Sequence, residues 1–184
     1  MNVVATKIPD VLILQPQIFT DDRGYFYESY HHKKFAELIG REVNFWQDNH
    51  SQSVKGVLRG LHYQAAPVSQ AKLVRVIQGE VFDVAVDLRQ SSVTFGQWVG
   101  EIISAENKKQ IWIPEGFAHG FLVLSETAEF IYKASNYWSA PHEHTIRFDD
   151  PDLNIAWPTI SPQDLIVSGK DRLGVAFKDA VKFL

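Results

Sequence analysis

The stretch LRGLHYQ places Arg59 and His62 three residues apart in a run that otherwise reads as a strand. Lys72 opens the next such run, KLVRVIQ. Tyr132 lies in EFIYKA, and His119 follows the turn residues Pro114 and Gly116 in PEGFAHGF. Each has an ordinary reading when taken alone. Lys72 would be a solvated strand end, Tyr132 a half-buried ring with its hydroxyl in water, and His119 a turn residue. Taken together they are a histidine base, a phenol acid and a fixed ammonium charge, the groups that proton transfer requires near neutral pH.

Other chemistries find less support. The chain has no cysteine, so it has no thiolate nucleophile, disulfide or sulfur-ligated metal. In barrels that bind metal, a His-x-His pair with a nearby Glu usually shares one strand, but this sequence offers only His62-Tyr63-Gln64. The HEH run at 142–144 has ligand chemistry without a third partner, so neither metal nor cofactor is expected. There is no phosphate-cradling glycine loop, dinucleotide fingerprint or nucleophile elbow. What remains is removal of a proton from carbon. That is feasible where an adjacent ketone delocalises the charge as an enolate and a cation steadies the oxygen. A base on one face and an acid on the other would invert the carbon.

These side chains must be held by strands. LVRVIQGEVFDVAVDLR reads as two strands around the Gln78-Gly79 turn signal. In its second arm Phe82, Val84, Val86 and Leu88 alternate with Val81, Asp83, Ala85 and Asp87. GQWVGEIIS, KQIWIP, GFLVLS and AEFIYKAS add further strands, each bounded by turn residues. HHKKFAELIG alone reads as a clear helix, with Phe35, Leu38 and Ile39 as its apolar stripe and Gly40 at its end. SAPHEHTIRFDDPDLNIAWPTISPQD reads as irregular, and VAFKDAVKFL as a short helix or a strand-like tail. The expectation is a single domain over 1–184, all-β, an antiparallel jelly-roll barrel with a few short helices. On a regular strand Arg59 and His62 have opposite parity. They face one cavity only if Gly60 introduces a bulge.

The 184 residues are 45% hydrophobic and 12% aromatic, the composition of an ordered globular protein. A formal charge of −4 argues against nucleic acid as a partner, yet a few placed arginines could still hold a phosphate. No apolar run approaches membrane-spanning length and the opening residues lack the order of a secretory signal, so a cytoplasmic protein without a membrane partner is expected.

The blocks DDRGYFYESY, FWQDNHSQS, VLRGLHYQ, GEVFDVAVDLR, TFGQWVG, IPEGFAHGF and SGKD, in this order, resemble the dTDP-4-dehydrorhamnose 3,5-epimerases of the cupin superfamily. The resemblance runs from IPDVLIL to SGKD. It implies an enzyme that inverts C3 and C5 of a dTDP-linked 4-keto-6-deoxy sugar without a cofactor. His62 would be the base, Asp171 its partner, Tyr132 the proton donor on the opposite face, and Lys72 the cation beside the C4 oxygen. Arg59 and Arg23 would hold the diphosphate. Glu28, Gln47, Asn49, His119, Glu143 and Lys170 match other substrate-contacting positions. Trp138 stands where many relatives carry Tyr, and an indole can equally stack on the thymine. The resemblance also implies a homodimer that exchanges strands and completes the nucleotide site across subunits. Three rivals stay open: an epimerase acting at one carbon, a non-catalytic cupin that binds a sugar nucleotide, and a metal-dependent cupin enzyme.

Overall fold

The computed structural model describes residues 1–184, the side chain of Pro162 excepted. Its strands are β1 (Asn2–Ala5), β2 (Leu12–Gln15), β3 (Phe19–Asp21), β4 (Gly24–Phe26), β5 (Gln47–Val54), β6 (Val57–Gln64) and β7 (Lys72–Gln78). There follow β8 (Glu80–Asp87), β9 (Trp98–Ser104), β10 (Gln110–Ile113), β11 (Phe117–Val123), β12 (Thr127–Ala134), β13 (Glu143–Thr145) and β14 (Ile166–Val167). Helix α1 spans His32–Ile39 and α2 spans Gly169–Arg172. One sheet has the order β1-β2-β10-β7-β12-β5. The second runs β13-β6-β11-β8-β9, with β14 parallel to β6. β3 and β4 form a separate two-stranded arm.

The alternation in the sequence decides which residues fill the space between the sheets. Val74 and Val76 of β7, Phe130 of β12, Val81 and Ala85 of β8, and Phe121 of β11 meet there in one buried cluster. At 2.0 residues per repeat their neighbours must point outward. Both outer faces are covered in turn. Val84, Val86 and Leu88 pack under Ile146, Leu153 and Trp157 of the C-terminal segment. Leu73 and Trp112 pack under Phe35 of α1, whose ring meets Trp112 edge-on at 5.2 Å. Gly40 closes the helix as expected, with φ 75°, and at the other end His31 accepts from the Lys34 amide.

Three expectations change. The turn at Gly79 does not join paired strands: β7 pairs with β10 and β12 in one sheet, β8 with β11 and β9 in the other. The chain passes between sheets there. Part of the segment read as irregular is ordered, because Glu143–Thr145 extends along β6. The tail does some of both things expected of it, with a 3-10 turn at Phe177–Asp179 and a bridge from Phe183 to Arg89.

Candidate active site

The inward positions turn polar at one end of the barrel. There a cavity of ≈ 260 Å³ is lined by Asn49, Arg59, His62, Lys72, His119 and Tyr132, with Phe121 and Phe130 as its apolar lining. Period-two spacing explains most of these. Lys72 shares the inward face of β7 with Val74 and Val76, and Tyr132 that of β12 with Phe130. Lys72 is therefore a strand end, but a buried one.

Arg59 and His62 need the irregularity. His62 stands opposite His119 and Arg59 opposite Phe121, so β6 carries one more residue than β11 between the two rungs. That extra residue restores both side chains to one face. Gly60, at φ 124°, makes the bend possible. A Cβ on Gly60 would lie 2.6 Å from the Cα of Gly120, so the two backbones touch where the strand bulges.

His62 Nε2 lies 2.5 Å from Oδ1 of Asp171, which is almost fully buried. Asp171 sits in α2, whose capping Ser168 accepts its backbone amide at 3.1 Å. Burial pushes the Asp171 carboxyl up. Hydrogen bonds from His62, Ser168 and the Gly60 amide outweigh that and hold it below the usual carboxylate range. Lys72 Nζ lies 5.5 Å from the centre of the Tyr132 ring. Burial pushes this ammonium down to about 8, against the pull of Asp83 and Glu143. The Tyr132 phenol is raised by burial and by Glu143, with Arg59 opposing. The cavity thus holds a carboxylate-backed imidazole, a cation and a protonated phenol.

Toward the rim, Arg59 donates from Nε and Nη2 to Ser53 Oγ at 3.1 and 3.0 Å. Gln47 donates to Asn49 Oδ1 at 2.9 Å and accepts the Trp138 amide at the same distance. Asn49 Nδ2 is buried and has no partner among the described residues. Lys170 meets Glu143 at 2.5 Å. Trp138 leaves its indole largely exposed.

A family model described as dTDP-4-dehydrorhamnose 3,5-epimerase matches residues 5–179. The chain belongs to that family. It is 58% identical over 184 residues to the dTDP-4-dehydrorhamnose 3,5-epimerase of Shigella flexneri, covering 100% of both chains. Its structure is similar to that of the Legionella pneumophila dTDP-6-deoxy-D-glucose-3,5-epimerase in complex with dTDP-4-keto-L-rhamnose. There the TM-score is 0.93 and the identity 50%, over 97% of this chain and 93% of that one. A 3'-monoepimerase from Streptomyces bikiniensis in complex with dTDP-quinovose also matches, with TM-score 0.88 and 31% identity over 95% of this chain and 87% of that one. The jelly-roll barrel expected from the strand pattern is thus the fold of an epimerase family.

Against that family, the structure assembles most of the expected residues. His62, Tyr132, Lys72, Arg59, Asn49 and His119 line the cavity; Asp171 touches His62; Gln47 accepts the Trp138 amide, and Lys170 pairs with Glu143. Arg23 and Glu28 do not join them within this chain. Arg23 pairs with Asp21 on the β3–β4 arm, its side chain 90% exposed, and Glu28 pairs with Lys34 at 2.8 Å. The HEH run is divided: Glu143 engages Lys170, His142 contacts Ser139 Oγ, and His144 stacks on Tyr63. Among the described residues no group of three or more His, Asp or Glu is placed to hold a metal. Ser53 and Asp83 are missing from the expected set. Asp83 had a signal, an acid alternating with Val81 and Ala85 on a face that turns out to be buried.

Proposed function

We infer that this chain is a dTDP-4-dehydrorhamnose 3,5-epimerase, converting dTDP-4-dehydro-6-deoxy-D-glucose into dTDP-4-dehydro-L-rhamnose. The C4 ketone acidifies the hydrogens at both C3 and C5. His62 takes each proton in turn through the ring nitrogen not bonded to Asp171, whose carboxylate steadies the imidazolium that forms. Lys72 holds the negative charge on the C4 oxygen. Tyr132 returns a proton from the other face, so each carbon is inverted. Arg59 takes the diphosphate, Trp138 stacks on the thymine, and Gln47, Asn49, His119, Glu143 and Lys170 contact the remainder. Residues 1–184 act in this scheme as one catalytic domain.

The observation that carries this reading is the meeting of His62, Lys72 and Tyr132 on one cavity with Asp171 behind the histidine. A homodimer belongs to the same proposal. The β3–β4 arm exposes Phe19, Tyr25 and Phe26 and keeps Arg23 away from its own cavity. In a second copy that arm would bring Arg23 and Glu28 to the diphosphate. No helix is long and apolar enough to cross a membrane. We place the enzyme in the cytoplasm, since a substrate carrying a diphosphate does not cross a bilayer unaided.

The reaction run in D2O tests the assignment. Deuterium at both C3 and C5, with L-rhamno product, is the expected result. Label at a single carbon assigns a monoepimerase instead. Binding of thymidine diphosphate with no exchange assigns a sugar-nucleotide-binding protein.

A further inference from the structure

Asp83 is wholly buried, and nothing in the acid–base scheme above uses it. It lies on the inward face of β8 between Val81 and Ala85, in register with Phe121 of β11. A buried carboxylate loses its hydration and is retained only where buried donors or a counter-charge compensate it. Packing alone therefore gives no reason to keep an acid here.

Its contacts point elsewhere. Both carboxylate oxygens approach His119 Nε2, at 2.9 and 3.1 Å. A carboxylate can only accept, so Nε2 must carry the proton and donate. Nδ1 is then the bare nitrogen, and His119 lines the cavity. The ring also stacks on Phe130, centroids 6.0 Å apart at 26°, which fixes its plane. Lys72 lines the same cavity as His119, its ammonium without a hydrogen bond or ion pair among the described residues, and Asp83 draws it toward the charged form against burial. The other charged or titratable groups facing this pair are His62 and Arg59 from β6, Tyr132 from β12 and Glu143 from β13. Of these, the two carboxylates are the anions that support Lys72, and Asp83 is the stronger.

We propose that Asp83 is a positioning residue for the epimerisation: it turns His119 so that Nδ1 faces the sugar as a hydrogen-bond acceptor, and it is the buried counter-charge that keeps Lys72 an ammonium ion beside the C4 oxygen. The inference rests on the function proposed above. One anion thereby serves two cavity residues, one through tautomer and orientation, the other through charge.

Asp83→Asn separates the parts, because its amide oxygen can still accept from Nε2 while the charge is gone. The expected result is a fall in kcat of roughly tenfold or more with KM little changed, and an alkaline limb of kcat/KM displaced to lower pH. The fall in kcat should exceed what any unfolded fraction at the assay temperature explains. Wild-type kcat with an unmoved limb would overturn the proposal, as would a loss of activity matched by a loss of folding. Wild-type protein with 15N-labelled histidine supplies a measurement independent of the variant. His119 should carry its proton on Nε2 alone at pH 7.5, and the opposite tautomer or a doubly protonated ring would also overturn it. Wild-type exchange in the same D2O assay shows whether a failure belongs to Asp83 or to the function itself.

Discussion

His62 and Asp171 are 109 positions apart in the chain, yet Nε2 and Oδ1 meet at 2.5 Å. The carboxylate is held below the usual carboxylate range against its burial, chiefly by the bond to His62. Asp171→Asn should leave the ring in place but remove the charge that favours imidazolium and the preference for one tautomer. Solvent exchange at C3 and C5 should fall by about 10²–10⁴-fold, and His62→Asn should abolish it. Affinity for thymidine diphosphate, measured by calorimetry, should hold in both. Full exchange in Asp171→Asn would remove it from the mechanism.

Tyr132→Phe should divide the two halves of the reaction. Its ring lies against Phe130 and beneath the Lys72 ammonium, and burial keeps the phenol protonated. Without the hydroxyl His62 can still remove and return a proton on its own face. Deuterium should continue to enter the recovered substrate while inverted product falls. Unchanged turnover would show that the second face is protonated by another group.

Arg59→Lys tests geometry at constant charge. Ser53 Oγ accepts from both Nε and Nη2, which fixes the guanidinium plane before any ligand arrives. Lysine has neither the fork nor the plane. Binding of thymidine diphosphate should weaken by ~1–3 kcal/mol, with the loss shared equally by the nucleotide and the sugar nucleotide. Unaltered affinity for both would take Arg59 off the phosphates.

The order of strands was not legible in the sequence, because periodicity reports which residues share a face and not which strand lies alongside. β7 and β8 have the spacing of a hairpin, and only the assembled sheets show that Gly79 passes between them. Helix α1 was legible through to its C-terminal end because its stripe and its closing glycine are local. The pairing of Arg59 with His62 was half legible: parity demanded a bulge, and Gly60 was the residue able to supply one. The burial of Lys72 could not be read from its own strand, since it depends on β12 and β8 closing over it. Arg23 and Glu28 rest on the resemblance alone, and one chain leaves them outside its own cavity.

Gly60→Ala should be costly for a reason specific to this strand. The added Cβ would meet Gly120 Cα at 2.6 Å and the His119 carbonyl at 2.8 Å, and the backbone φ of 124° disfavours any side chain. Backbone cannot swing aside as a side chain can. Stability in a urea titration should drop by ~1–3 kcal/mol. The fall in kcat should exceed what the unfolded fraction explains, because relief of the clash moves Arg59 and His62 together. A variant with native activity and native stability would show that the bulge does not depend on glycine.

Lys72 links pH to both activity and stability. Its ammonium is pushed down to about 8 from 10.5 by burial. The scheme needs the charged form, so kcat/KM, which reports the free enzyme, should fall as pH rises through about 8. Stability moves the other way. Between about 8 and 10.5 the unfolded chain binds more protons at this residue than the folded one, so stability contributed by Lys72 rises with pH in that window. Below it the burial penalty is complete. Lys72→Met should therefore abolish epimerisation yet raise the unfolding free energy at pH 7, by on the order of 3 kcal/mol at most, and the melting temperature with it. The gain should shrink toward zero as pH approaches 10.5. Thermal melts of both proteins across pH 7 to about 10 check this: a methionine variant less stable than wild type at pH 7 would mean that Lys72 is held by contacts that repay its burial.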